Sequence, residues 1–501
     1  MRLELMKNLA SPMPYTDRER WLVAGMVFVV ALAHMLSFAY LSSLAAHNPE
    51  ALPYPIVVGD SQQYAELADN LLINHTFSVP SDPGSPRHWP PGYPALLAGV
   101  KWITGSFTPV VVVQSLLSFL AVFLIYAIAR RFVPPAFAAC AALFYGLDPM
   151  IVFSDTAIIS DGLFVTLLII VVYSIFFQSH IRGVLRWSMV GVFLGCAVMT
   201  RAVGEFLIIL LPAAFLFREW LRLPQEREEK YLIPALIAYA LCVAIIVVPW
   251  VARNHAMFGV YEIAQGGADD LMYYDTRFFL EWKAMGGAAT TVLYPAHHYD
   301  APQSAEVYKE IHQALLDATP PGKDPENYTE KVALNFILQD PVRYAYFDIA
   351  NTIPFFLSGS FSAYREIAHQ ERNNTEFAFS ALNTAQTAFS DLRHSGFSAS
   401  VLEILVPFAL EVLYWLLVCL FVLCALIFEW RRFEVWLFAG LVAYFAAITS
   451  ALSYARYRIP AEPFLLLLAI IGLYAIVVRV KRHLSEADFA KIPVIKHTAP
   501  Q

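Results

Sequence analysis

Residues 455–483 read ARYRIPAEPFLLLLAIIGLYAIVVRVKRH. From Ile459 to Val478 one charge, Glu462, interrupts an otherwise apolar run, and Arg479, Lys481 and Arg482 close it. A helix needs about 20 apolar residues to cross about 30 Å of hydrocarbon, so this stretch reads as a membrane span. Nine runs of the same kind precede it, at 21–45, 108–129, 134–152, 157–178, 184–200, 202–217, 231–251, 401–428 and 433–453. Two others, 92–104 and 345–361, are too short to span and read as interfacial helices. The composition agrees: of 501 residues 58% are hydrophobic and only 15% charged, against about 25% charged in a soluble chain. The expected fold is an all-α polytopic membrane protein with about 10–12 transmembrane helices.

Charge gives the expected orientation. With Arg2, Lys7, Arg18 and Arg20 placed in the cytoplasm, the short loops at Arg130-Arg131, Arg182–Arg186, Arg218–Lys230 and Arg431-Arg432 fall on the same side, as does the tail from Arg479. Cytoplasmic loops carry such an excess of Lys and Arg. The expected organisation is a cytoplasmic N-terminus (1–20), a membrane module (21–252) that includes an outward loop (46–107), an extracytoplasmic segment (253–400), C-terminal membrane helices (401–480) and a cytoplasmic tail (481–501). The long segment shows helical patterns at 305–317, 327–338 and 376–392, with apolar patches too thin for a core of its own. It is expected to fold against the membrane module. A net charge of −7 argues against nucleic-acid binding. The five cysteines all lie in apolar runs without metal-ligand spacing, and read as small buried hydrophobes.

The informative residues are the charges that break this pattern. On the outward edge stand Asp60 after the first span, Asp148, Asp155 and Asp161 around the next outward turn, Arg201, Arg253, and Arg456 with Arg458. Any one of these arginines could be a snorkelling interface residue, and Asp–Arg pairing could be purely structural. Collected on one face beside lipid, they suit chemistry on an anionic lipid headgroup. A guanidinium fork binds phosphate oxygens, and a carboxylate takes a proton from a hydroxyl. A transporter or flippase for a lipid-linked sugar or anionic lipid would use the same groups, but such proteins place ionisable residues near the bilayer midplane. Here the mid-span regions are almost free of charge.

Asp60 followed by Tyr64-Ala65-x-x-Ala68 and Trp89-Pro90-Pro91-Gly92-Tyr93-Pro94 resembles the first outward loop of GT-C glycosyltransferases. The group most similar contains the protein mannosyltransferases and lipid A aminoarabinose transferases. Ser160-Asp161-Gly162, Gly195…Thr200-Arg201, Pro249-Trp250…Arg253-Asn254…Phe258-Gly259 and Arg456-Tyr457…Pro460…Pro463 resemble further elements of that group, in the same order. Two features depart from it: Ser61 replaces the Glu that follows Asp in protein mannosyltransferases, and Asp161 stands where Glu is commoner.

The resemblance implies an inverting transferase that moves a sugar from a polyprenyl-phosphate donor to a hydroxyl on the non-cytoplasmic face. The sugar and the glycan, lipid or protein acceptor are left open, and the implied location is a bacterial inner membrane. It assigns Asp60 as general base and Asp161 to orientation, with Asp155 as a rival. Arg201, Arg253, Arg456 and Arg458 become phosphate ligands. Tyr64, His88, Trp89 and Tyr93 become lining of the loop over the site; interfacial anchoring is the alternative for His88, Trp89 and Tyr93, and accounts better for Trp89. No cofactor is required; a divalent cation, if one is used, would sit on Asp60 and Asp161.

Overall fold

The computed structural model describes residues 16–47, 54–56, 60–79, 89–177, 183–221, 232–264, 267, 270–289, 302–321, 325–361, 364, 399–449 and 455–489. His88 and the 376–392 pattern lie outside these residues. Nine of the ten predicted runs form one α-helix each, and the run 134–152 is split into two. In chain order, with the interfacial and outward helices, they are α1 Asp17–His47, α2 Asp60–Ile73, α3 Gly92–Thr104, α4 Val110–Ala129, α5 Pro135–Gly146, α6 Pro149–Thr156, α7 Asp161–Phe177, α8 Gly183–Thr200, α9 Leu207–Leu221 and α10 Leu232–Phe258. There follow α11 Arg277–Ala284, α12 Pro302–Ala318, α13 Pro325–Gln339, α14 Pro341–Asn351, α15 Ile353–Leu357, α16 Ala399–Phe428, α17 Phe433–Thr449, α18 Ala455–Arg458 and α19 Glu462–Phe489. Among the described residues six helices are long and apolar enough to cross a membrane. The pair α5–α6, bent by 54°, makes a seventh, and α7 and α17 are shorter apolar helices. The chain is a multi-pass membrane protein.

The pattern of burial shows why. Along α1 the buried positions Met26, Val30, His34, Ser37 and Leu41 recur at helical spacing, while Phe28, Met35 and Leu36 on other faces are well exposed. In water that apolar exterior would be an aggregation surface; in lipid it is the proper boundary. Phe464 through Ile471 of α19 are buried all round, which marks the central helix, packed by α4, α5, α16 and α17.

Lipid tails are as apolar as leucine, so close packing must hold the helices together. Gly191 and Gly195, four apart on α8, supply it: a Cβ at Gly191 would lie 2.6 Å from the Tyr239 carbonyl oxygen of α10, and one at Gly195 3.2 Å from Ile246.

Basic side chains gather at one end of the bundle. There Arg130 pairs with Glu19, Arg131 donates to the Phe177 carbonyl, Arg218 approaches Glu434 at 3.6 Å and Arg479 donates to the Phe428 carbonyl. The other end carries Asp60, Asp161, Arg201 and Arg456. One expectation is corrected: none of the five cysteines is fully buried, Cys140 being exposed and Cys196, Cys242, Cys419 and Cys424 half-buried. Within the outward segment α11 and α14 bring Phe278, Phe279, Trp282 and Phe347 into a small cluster across a long sequence separation. The run 345–361 is split between α14 and α15.

Gly191→Val should cost about 1–3 kcal/mol of stability by overpacking against α10. Gly440→Ala, where an added Cβ meets nothing within 4 Å, should be neutral or stabilising by up to about 1 kcal/mol. Thermal unfolding of the two variants in one detergent checks both.

Candidate active site

The site is built on the break between α6 and α7. Residues 157–160 leave the helix inside the protein, where unmet carbonyls are costly. Gln114 of α4 answers three of them, donating to Ser154, Asp155 and Ala157 at 3.3, 3.1 and 2.7 Å. Tyr54 donates to the Thr156 carbonyl at 2.5 Å, and Ser61 to that of Ile158 at 2.6 Å. The break thereby delivers Asp161 to the first turn of α7, where the helix dipole favours a negative charge.

α2 lies across this break. Its buried face is Tyr64, Leu67 and Ala68, at helical spacing, and its first residue is Asp60. The Tyr64 hydroxyl shares a 3.0 Å hydrogen bond with Ser160 Oγ, and its ring packs on Trp89 and Tyr93. Burial, with Asp60 close by, pushes the Tyr64 phenol well above its usual range, so it stays protonated. Trp89 donates to Gln63 at 2.5 Å, and α3 is drawn close because Gly92 leaves room for the Met199 carbonyl.

Four charges from four elements meet here. Arg456 of α18 donates from Nη2 to Asp60 Oδ2 at 2.5 Å and from Nε to Asp161 Oδ2 at 3.1 Å. Arg201, at the end of α8, pairs with Asp161 Oδ1 at 2.8 Å and donates to Ser160 Oγ at 3.3 Å. The Asp161 side chain is 1% exposed and that of Asp60 31%. One carboxylate is therefore a buried anchor for two guanidiniums, and the other stands at the opening.

The remaining sequence-predicted residues are placed elsewhere. Asp155 turns into the bundle beside His34, at 3.4 Å, away from the arginines. Tyr93 is fully buried, donates to Gln114 Oε1 at 2.6 Å, and supports the site from beneath rather than lining it. Arg458 is wholly buried and surrounded by protein acceptors, so it has no face for a phosphate. Asp148 caps α6 through the Met150 N–H at 2.8 Å.

Arg253 lies toward the other end of α2. Its guanidinium is ringed by Phe77, Trp250 and Phe258, at 5.9, 4.7 and 5.3 Å, and donates to Asn254 at 2.7 Å. Asn70 holds the Phe77 loop through the Ser78 carbonyl. Roughly 15 Å of helix therefore separates this cage from Asp60, at about 1.5 Å per residue. Among the described residues no carboxylate pairs with Arg253.

Sequence reasoning missed Ser160, Ser61, Gln114 and His34. Gln114 and His34 carried a signal, since a polar residue inside an apolar run must find a partner. Ser61 and Ser160 carried none beyond adjacency to the two aspartates. Among the described residues no group of three or more His, Cys, Asp or Glu could hold a metal ion. A guanidinium already stands between Asp60 and Asp161, so this donor set does not fit a divalent cation bridging them.

Residues 88–252, about a third of the chain, match the family model of dolichyl-phosphate-mannose-protein mannosyltransferases. No curated protein matches. Two solved structures are similar, both of ArnT from Cupriavidus metallidurans. The one bound to undecaprenyl phosphate has 14% identity over 93% of this chain and 80% of that one, with a TM-score of 0.36. The apo structure has 14% identity over 92% and 78%, with the same TM-score of 0.36. The family match covers the break, α7, α8 and most of α10, and the chain resembles the GT-C membrane glycosyltransferases.

Asp161→Asn should cost about 3–5 kcal/mol, because it leaves two guanidiniums around a buried neutral amide. Asp60→Asn should cost about 1 kcal/mol or less, since that carboxylate is partly solvated. Thermal midpoints of the purified variants separate the two.

Proposed function

We propose that this membrane protein is a glycosyltransferase that takes its sugar from a polyprenyl-phosphate donor and passes it to a hydroxyl acceptor, with Asp60 as general base. The observation that carries the reading is the Asp60–Arg456–Asp161–Arg201 constellation at one end of the bundle. Its base stands at the opening and its counter-charges are fixed behind it. The match to a family named for dolichyl-phosphate-mannose supports a lipid-phosphate donor.

Transfer from such a donor needs no strong general acid, because the departing polyprenyl phosphate, a phosphate monoester, is already a good leaving group. It needs a base on the acceptor oxygen and fixed positive charge where phosphate charge develops. Asp60 takes the acceptor proton as the acceptor oxygen attacks the anomeric carbon. The bond from that carbon to the phosphate oxygen breaks, the electron pair leaves with the phosphate, and in-line attack inverts the centre. Arg253 is the arginine best placed to attract an anionic donor. Among the described residues it is held by rings rather than by a carboxylate, so an anion gains its full charge. Arg456 and Arg201 hold the carboxylates and set the local field; Asp161 holds the arginines. The positive-inside pattern supports an extracytoplasmic site, and the style of the motifs supports a bacterial inner membrane.

Purified protein given a polyprenyl-phosphate sugar and an acceptor should release free polyprenyl phosphate. Asp60→Asn should lower turnover by about 10²–10⁴-fold while leaving donor affinity unchanged. Arg253→Ala should weaken donor binding about tenfold, or about 1.4 kcal/mol. Full turnover in Asp60→Asn would remove the base. Passage of intact donor between leaflets without cleavage would replace the transferase by a flippase.

A further inference from the structure

Arg458 touches neither aspartate of the site, yet it is among the most completely held side chains in the molecule. Its Nη1 donates to the carbonyls of Phe355 and Ser358, both at 3.0 Å, and its Nη2 to Ser360 Oγ at 3.1 Å. Its plane lies 3.6 Å over the Trp415 ring of α16, and Nε faces Glu462 at 3.7 Å. The chain of contacts continues: Ser360 Oγ donates to Asp148 Oδ2 at 2.6 Å, and Asp148 Oδ1 caps α6.

These contacts connect two elements that meet again at the site. α18 carries Arg456 as well as Arg458. Residues two apart on a helical turn diverge by about 200°, so one guanidinium faces the aspartates while the other faces the bundle. α6 leads through residues 157–160 into Asp161. The Arg458–Ser360–Asp148 chain therefore ties α18 to α6 from behind, and the Arg456–Asp161 pair joins α18 to α7 in front. Stability alone gives little reason for such a chain, since a buried ionic group replaced by well-packed apolar side chains is often no less stable.

We propose that Arg458 is a positioning residue. With Ser360 and Asp148 it sets the reach of Arg456, and through Arg456 it sets how Asp60 and Asp161 are held relative to each other. That this matters for turnover rests on the function proposed above, but the geometric claim can be tested without any donor.

The test follows modification of Asp60 by dicyclohexylcarbodiimide, an apolar reagent that attacks protonated carboxyl groups, in full-length protein in nanodiscs, read by peptide mass spectrometry. Arg456→Gln removes a partner of Asp60 and should speed its modification about tenfold. Arg458→Lys, which cannot reproduce the forked contacts, should speed it about threefold. Ser360→Ala, a milder change that keeps the charge, should speed it about twofold. The double variant Arg456→Gln/Arg458→Lys should match Arg456→Gln alone, because Arg458 acts only through Arg456. Asp69, on the same helix and paired with Lys101 at 2.5 Å, should keep its wild-type rate in every variant.

Three results would overturn the proposal: wild-type modification of Asp60 in both Arg458→Lys and Ser360→Ala, acceleration of Asp69 in step with Asp60, or a double variant faster than Arg456→Gln. A labelling pattern as expected in a protein that transfers no sugar would sink the transferase reading and leave the positioning role standing. Sugar transfer with a failed labelling pattern would do the reverse.

Discussion

A guanidinium placed between two carboxylates organises this molecule. Arg456 reaches Asp60 on a helix that lies along the bundle end and Asp161 on a helix that enters the bundle. Without it, two carboxylates would face each other at the edge of a medium that screens charge poorly. With it, and with Arg201 on the far side of Asp161, the four charges balance. Asp60 is then held in place at the opening.

Holding such a group in a membrane protein places demands on everything around it. The backbone must leave the helix between α6 and α7 to present Asp161, and each exposed carbonyl must be met. Gln114, Ser61 and Tyr54 meet them from three separate elements. The same contacts fasten α2 and α4 to the break, so satisfying the backbone and positioning the charges are one act. Tyr64 does both as well: its hydroxyl is bound by Ser160, beside Asp161, and its ring fills the space beneath Trp89 and Tyr93.

The arginines show how similar sequence positions acquire different work. Arg456 and Arg458 share one short turn and the same residue type, and helical geometry sends them to opposite sides. One meets aspartates at the site, the other meets carbonyls, Ser360 and Trp415 in the interior. Arg253 is held by three aromatic rings instead of a carboxylate, which leaves its charge uncompensated by any described neighbour. Asp155 and Asp161 diverge in the same way, the first to His34 in the core and the second to the arginines. No spacing rule distinguishes these fates, because each is decided by which element packs against which face.

Much was therefore readable from the chain alone. The ten apolar runs, their alternation with basic loops and the rim location of the exceptional charges all follow from the cost of placing charge or unbonded backbone in hydrocarbon. That cost is local and set by composition, so it is visible residue by residue. Asp60, Asp161, Arg201 and Arg456 stood out for that reason. Their meeting point, the inward turn of Arg458 and Asp155, the buried support from Tyr93, and the service of Gln114 and Ser160 depended on contacts across tens to hundreds of residues. Only the packed bundle decides those, because a side chain's partner is whatever the neighbouring helix brings within about 3 Å of it.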